Sequence, residues 1–166
     1  NSFYHEIPFK KFEKLLKAGD TVIDIGCANA IHVPLFLGIG RKLKYVGIDL
    51  SREMTKMAKS RYPQLEFSVA DISTYKPKRK FNAFWAAAIL MHLPEDQIDE
   101  VLQNITRITK PKAYGYVTLP IRRPSEENDF DKRHFSLYTK KKFKELVSRY
   151  GWKIISSEIL PEKDRE

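Results

Sequence analysis

Three aspartates stand at the ends of apolar segments, where carboxylates can bind the polar parts of a nucleoside-like ligand. Asp24 lies two residues before Gly26, and its charge suits a cationic amine better than a pyrophosphate. Asp49 lies 23 residues after Gly26, where a carboxylate can accept hydrogen bonds from both hydroxyls of a ribose. Asp71, beside the apolar Ile72, is predicted to lie near an adenine edge. A turn or helix cap is the structural alternative for Asp49 and Asp71.

The segment after Asp24 is a turn of small residues, Gly26-Cys27-Ala28-Asn29-Ala30. Small side chains let backbone N–H groups approach a ligand closely, and the N-terminus of a following helix would point at that ligand. A dinucleotide site requires glycines in the pattern G-x-G-x-x-G, but Ala28 and Ile31 occupy the second and third of those positions. The sequence therefore argues against a nicotinamide dehydrogenase.

Further polar residues lie in the second half of the chain. His92, shortly before Pro94, is either a general base or a side chain that stabilises the turn into the following helix. The longest irregular stretch is residues 121–137, and loops of that length are usually functional. This loop and its end supply candidate substrate-binding residues, unless the loop is merely exposed: Arg122, Arg123, Arg133, His134 and Tyr138.

The elements that must position these residues alternate between strand and helix. Apolar, β-branched segments predict six strands, at residues 21–25, 43–48, 65–69, 81–87, 113–119 and 152–160. Helical spacing and capping residues predict helices at 10–17, 31–38, 51–62, from Pro94 to Ile108, and 139–150. In the third of these helices Met54, Met57 and Ala58 are expected to face inward. The alternation predicts a doubly wound, mostly parallel sheet in a three-layer α/β/α sandwich, with ligands beyond the carboxyl ends of its strands.

Length and composition limit the remaining possibilities. The 166 residues predict one domain, residues 1–166, and the longest apolar run, residues 83–91, is too short to span a bilayer. The single cysteine excludes a disulfide scaffold, and four scattered histidines argue against a metal site. With no signal sequence visible, we expect a cytoplasmic protein without a membrane partner.

The net charge of +9 has two interpretations. Lysine and arginine runs can bind nucleic acid or another acidic surface, or they can form solvated faces that keep a sheet protein soluble. The sequence shows no aromatic–basic interleaving of the kind found in RNA-binding proteins, so nucleic acid is a possible partner rather than the expected one.

Four motifs together resemble the class I S-adenosylmethionine-dependent methyltransferases, especially small bacterial members. They are the first-strand segment ending in the turn at residues 26–30, Val46-Gly47-Ile48-Asp49-Leu50-Ser51, Val69-Ala70-Asp71-Ile72, and the fourth-strand segment ending in Leu90-Met91-His92-Leu93-Pro94. Residues 133–139, followed by an amphipathic helix and Gly151-Trp152, are also similar. The resemblance covers essentially the whole chain. It implies S-adenosyl-L-methionine as cofactor and methyl transfer, with a small molecule as the expected acceptor.

The resemblance also implies roles for individual residues. Asp24 and the turn residues Gly26, Cys27, Ala28 and Asn29 would hold the methionine part of the cofactor, and Asp49 the ribose. The remaining implied cofactor contacts are Leu50 and Met54 on the adenine face, Asp71 and Ile72 at its edge, and Ala86 and Ala87 near the sulfonium. The family usually has glycines where this chain has Ala28 and Ala30, which makes the turn bulkier.

The family fold has seven strands, and only residues 161–166 follow the sixth predicted strand here. We therefore expect the seventh strand to be missing from this sequence, which leaves the edge of strand six for a continuation of the chain or a second chain to cover. Two functional alternatives remain open. The enzyme could methylate RNA, as tRNA wobble-uridine methyltransferases do, or the chain could bind the cofactor without catalysis.

Overall fold

Five parallel strands form a single sheet in the order β3-β2-β1-β4-β5. The computed structural model describes residues 3–94, 96–119 and 139–159, with the backbone alone at residues 3–5. The strands are β1 (Thr21–Ile25), β2 (Lys44–Asp49), β3 (Glu66–Val69), β4 (Phe81–Ala86) and β5 (Thr109–Val117). Because all strands run in one direction, their carboxyl ends share one edge, the carboxyl edge, and their first residues share the opposite one, the amino edge. The strand order reverses next to β1, where such sheets bind ligands.

Helices cover both faces of this sheet. They are α1 (Phe3–Glu13), α2 (Val33–Gly38), α3 (Arg52–Arg61), α4 (Ile98–Ile108) and α5 (Lys140–Ser148). Ser51 caps α3 by accepting from the Met54 N–H, and Thr139 caps α5 by accepting from the Lys142 N–H. Each bond satisfies a donor that the first helical turn leaves without a partner. Both caps are at the positions that the sequence predicted.

The core consists of two clusters, one on each face. Ile23 and Ile25 of β1 pack into a cluster with α4 and α5, whereas Val22 packs with α1 and α2 on the other face. This alternation follows from the period of two in a strand. Trp85 is fully buried among aromatic rings and stacks on Tyr116 at 3.8 Å between centroids. The doubly wound, three-layer α/β/α architecture is confirmed.

The predicted sixth strand is wrong over the part of 152–160 that the structure describes. Residues 152–159 form no regular element. The Trp152 indole N–H donates to Thr106 Oγ1 on α4 at 2.9 Å, and the ring lies 5.2 Å from that of Phe84. Trp152 therefore packs over α4 and the sheet. Its apolar, β-branched neighbours Ile154 and Ile155 are exposed and do not pair with a strand.

Several predicted boundaries also shift. The first helix is α1 instead of residues 10–17, and the helix expected from Pro94 begins at Ile98. The fifth strand begins directly after α4, at Thr109, and not at residue 113. Met54 and Met57 are 38% and 44% exposed, so of the three α3 residues expected inward only Ala58 is buried. A helix this close to the carboxyl edge keeps part of its apolar surface uncovered.

Candidate functional site

The turn that leaves β1 curls over the end of β2. The N–H groups of Gly26 and Cys27 both donate to the Ile48 carbonyl, at 2.8 and 3.0 Å. Gly26 has a φ of +72°, and a Cβ at this position would overlap the Ile89 side chain. Glycine is therefore required here both for the backbone conformation and for the space.

Two alanines continue the turn in a conformation that normally belongs to glycine. Ala28 and Ala30 have φ values of 47° and 67°. A non-glycine residue in this region costs roughly 1 kcal/mol. Hydrogen bonds hold both residues in place, because the Ala28 N–H donates to Asp49 Oδ2 at 2.9 Å and the Ala30 N–H donates to the Cys27 carbonyl at 2.9 Å.

Asp49 links the β1 turn to the start of α3. Its Oδ2 accepts from Ala28, and its Oδ1 accepts from the Ser51 N–H at 2.8 Å. Each carboxylate oxygen has a second lone pair, so two further hydrogen bonds can be accepted. Leu50 and Met54, next to this carboxylate, are 71% and 38% exposed. The arrangement thus combines a fixed, half-buried carboxylate with exposed apolar surface.

Asp24 lies beneath the turn and is only 1% exposed. Its Oδ2 accepts from the Tyr45 hydroxyl at 2.6 Å and lies 3.8 Å from His32 Nδ1, while Oδ1 has no hydrogen-bond partner in the described part of the chain. Burial, with the Asp24 charge beside it, raises the pKa of Tyr45 well above 10.0. The sequence missed Tyr45 and His32, although Tyr45 occupies an inward position of β2.

Asp71 lies at the surface, whereas the next residue, Ile72, lies in the core. Asp71 is exposed, and its Oδ1 accepts from the Ser73 N–H and hydroxyl, both at 2.8 Å. This is the local turn that an aspartate commonly forms. Ile72 is 7% exposed and packs in the core, and the buried Asn104 donates to its carbonyl.

Other members of the predicted cofactor set lie under the site. Cys27 and Ala86 are fully buried, and Ala87 is 8% exposed. Burial raises the pKa of the Cys27 thiol, which favours its neutral form. Ala88 N–H donates to Thr118 Oγ1 at 2.7 Å and ties the ends of β4 and β5 together. Thr118 was not predicted from the sequence.

The catalytic candidate His92 ends a short 3-10 helix, Leu90–His92, which follows β4 at the carboxyl edge. Its N–H donates to the Ile89 carbonyl at 3.0 Å. The five candidate substrate-binding residues lie outside the described residues: Arg122, Arg123, Arg133, His134 and Tyr138. Within the described ranges, no group of three or more His, Cys, Asp or Glu residues could hold a metal ion.

None of the helices that the structure describes is long and apolar enough to cross a membrane.

The carboxyl edge brings together Asp49, the strained turn and the exposed apolar residues of α3. Asp24 and Ala86 lie beneath that surface.

Comparison with known proteins agrees with this architecture. Over 80 residues, the chain is 32% identical to a trans-aconitate 2-methyltransferase of Methylobacterium radiotolerans, a match covering 48% of this chain and 31% of that protein. A methyltransferase solved with the Haloferax volcanii Trm112 methyltransferase activator superimposes with a TM-score of 0.81 at 17% identity, over 99% of this chain and 76% of that one. The Haemonchus contortus phosphoethanolamine N-methyltransferase 2, solved with S-adenosyl-L-methionine, gives 0.76 at 18% identity, over 89% and 36%.

The chain spans about a third of the length of the curated relatives that it matches. The structural likenesses show the shared fold. The family described as the methyltransferase domain matches residues 22–112, which is more than half of the chain and includes the turn, Asp49 and Asp71. The chain belongs to the class I S-adenosylmethionine-dependent methyltransferase family.

Proposed function

We propose that the carboxyl edge binds S-adenosylmethionine and that the domain transfers its methyl group to a small-molecule acceptor. The observation that carries the proposal is the Asp49 carboxylate, which is bonded to the Ala28 N–H of the β1 turn and stands beside exposed apolar surface. Family membership and the cofactor-bound relative support the same ligand.

The residues present fit this cofactor. The free lone pairs of Asp49 would accept from the two ribose hydroxyls, and Leu50 and Met54 offer exposed apolar surface to the adenine ring. Asp71 would lie at the adenine edge. The methionine part carries an ammonium and a sulfonium, and the buried charge of Asp24 beneath the turn favours cations there.

The cofactor supplies an electrophilic methyl group on a sulfonium. The protein residues then act mainly by holding the acceptor in line and excluding water, which can provide most of the acceleration. A general base is needed only for a nucleophile that retains its proton at neutral pH. His92, which follows β4 at this edge, is our candidate for that role.

For the acceptor we propose a small carboxylic acid. The named substrate of the curated relatives, trans-aconitate, is a polycarboxylate. Arg122 and Arg123 follow β5 closely in the sequence and would supply cations for such a molecule. A panel of di- and tricarboxylic acids, with amines and phenols for comparison, tests this choice by transfer of labelled methyl. Transfer to amines alone would contradict it.

Titration calorimetry with S-adenosylhomocysteine tests the cofactor site. Asp49→Ala should bind about tenfold to a hundredfold more weakly, because it loses a charge-assisted pair of hydrogen bonds. Glu100→Gln, an exposed carboxylate on α4, is the matched control and should bind like the parent.

Asp49→Asn keeps one acceptor oxygen, and its melting temperature shows whether the β1 turn survives the loss of charge. A folded Asp49→Ala variant with parental affinity would refute the ribose contact. A parent that binds neither form of the cofactor would refute the site as a whole. Binding without transfer to any acceptor would favour a non-catalytic binding protein.

A further inference from the structure

The excess positive charge of the chain is concentrated at the amino edge. Five segments lead into the first residues of the strands: residues 14–20, 39–44, 62–66, 76–80 and 109–112. Together they contain eleven basic and two acidic residues. The difference is a charge of +9, which equals the net charge of the whole sequence. The rest of the chain is therefore balanced, and this edge is not one of many similar solvated faces.

Most of these basic side chains are exposed and available to a partner. Arg41 is an exception, because its guanidinium donates to the carbonyls of Glu13 and Leu16 and fixes the end of α1. Arg79 pairs with Glu66, one of the two acids at this edge. Lys44 begins β2 and Lys110 lies at the start of β5, so the exposed lysines extend across the sheet.

A groove of about 480 Å³ lies beside the chain segment that joins β3 to β4, and the first residue of each of these strands lines it. It is lined by Tyr75, Pro77 and Phe81, by the basic side chains of Lys76, Lys78 and Arg79, and by one acid, Glu66, which pairs with Arg79. This volume lies within the range of small-ligand sites, so the groove can accept a group as large as a nucleobase. Tyr75 directly precedes this basic run in the sequence, and the structure places both at the groove.

Buried contacts fix the entrance to the groove. Asn104 on α4 is 5% exposed, and its Nδ2 donates to the carbonyls of Ile72 and Tyr75, at 2.5 and 3.0 Å. Arg107 also donates to the Tyr75 carbonyl, at 3.5 Å. The backbone of the loop before β4 is therefore tied to α4 at Tyr75.

We propose that the amino edge binds single-stranded nucleic acid, with phosphates along the exposed lysines and one base in the groove against Tyr75. Neighbouring strands lie about 4.8 Å apart, so the lysines from β2 to β5, which span three strand spacings, form a row roughly 14 Å long. A row of cations beside an aromatic surface is the combination that binds single strands, whose backbone follows the charge while bases stack. This site lies on the opposite edge from Asp49 and does not depend on the proposed methyl transfer.

Fluorescence anisotropy with a labelled 12-nucleotide oligouridylate tests the proposal. The variant Lys76→Gln/Lys78→Gln/Lys80→Gln should bind about tenfold to a hundredfold more weakly at 50–100 mM salt, and the slope of log affinity against log salt should flatten by about 2. The matched control is Lys140→Gln/Lys141→Gln/Lys144→Gln on α5, which removes the same charge from exposed positions. The control should bind within about twofold of the parent.

Equal losses in the two triple variants would overturn the site, because binding would then follow net charge alone. An abasic 12-mer keeps the phosphates and should bind more weakly than oligouridylate, and equal affinities would remove the base from the groove. Polyglutamate of the same charge should compete poorly. If it competes as well as oligouridylate does, the partner is an acidic protein and the proposal is wrong. Circular dichroism of both variants confirms that they fold.

Discussion

The two edges of the sheet differ in how closely their turns are packed and in how much charge they carry. At the carboxyl edge the turns are crowded, since a Cβ at Gly26 would overlap Ile89 and Ala28 is held in a left-handed conformation. At the amino edge the glycine turns are open, with no atom within 4 Å of a Cβ built at Gly19 or Gly40. The carboxyl edge is defined by shape, and the amino edge by charge. A specific small ligand requires the first property, whereas a polyanion requires mainly the second.

The largest contrast should appear when a methyl group is added to one glycine at each edge. Both Gly26 and Gly19 have positive φ, but only Gly26 lacks space. Gly19→Ala should lower the free energy of unfolding by about 1 kcal/mol from backbone strain alone. Gly26→Ala should lower it by about 2–4 kcal/mol, because overpacking adds to the strain. Urea denaturation measures both, and equal losses would show that the carboxyl turn is not crowded.

The buried pair beneath the carboxyl edge gives the next largest effect. Tyr45→Phe removes the hydrogen bond to the Asp24 carboxylate and should lower the free energy of unfolding at pH 7 by about 1–3 kcal/mol. Tyr116, which stacks on Trp85 two strands from Asp24, provides a control: Tyr116→Phe keeps the ring and should cost less.

The same pair predicts a pH dependence. Burial raises the pKa of Tyr45 above 10.0, so the folded protein keeps this proton after the unfolded chain has begun to release it. Stability from this group is complete below pH 10 and falls as the pH rises further, by at most about 1.4 kcal/mol per pH unit. The stability difference between the parent and Tyr45→Phe should therefore shrink above pH 10. A difference that stays constant to pH 11 would contradict the assignment.

The smallest effect should have opposite signs at the two edges. Ala28→Gly relieves a left-handed alanine and should raise the free energy of unfolding by about 0.5–1 kcal/mol. Ala18→Gly, in the amino-edge turn before Gly19, should lower it by about 0.4–1 kcal/mol, since Ala18 is not among the residues with positive φ. Thermal unfolding checks the pair. Destabilisation by Ala28→Gly would show that the turn is not strained there.

The sequence predicted the parts of the fold that depend on local pattern. β1 has the predicted bounds, and Ser51 and Thr139 cap helices as expected, because apolar runs and capping side chains act through neighbouring residues. It failed at residues 152–160, where the β-branched pattern was correct for a strand but no partner strand pairs with the described part. Strand formation depends on such partners, which the local sequence does not contain.

The site was predicted less completely than the fold. Strand ends locate Asp24 and Asp49 at one edge, but they do not show depth, so the burial of Asp24 against Tyr45 could not be predicted. The distribution of charge was also hidden. The lysine runs are scattered in the sequence, and only the parallel topology collects them at one edge.

Hydrogen–deuterium exchange with and without S-adenosylmethionine tests most directly whether the cofactor binds at the carboxyl edge and not at the amino edge. Cofactor bound at the carboxyl edge should slow exchange in peptides that contain Ala28 and Ser51, because the N–H groups of both residues donate hydrogen bonds to Asp49. Peptides covering residues 76–80 at the amino edge should exchange at the same rate in both conditions. Slowed exchange at residues 76–80, with none around Ala28 and Ser51, would contradict the assignment of the cofactor to the carboxyl edge.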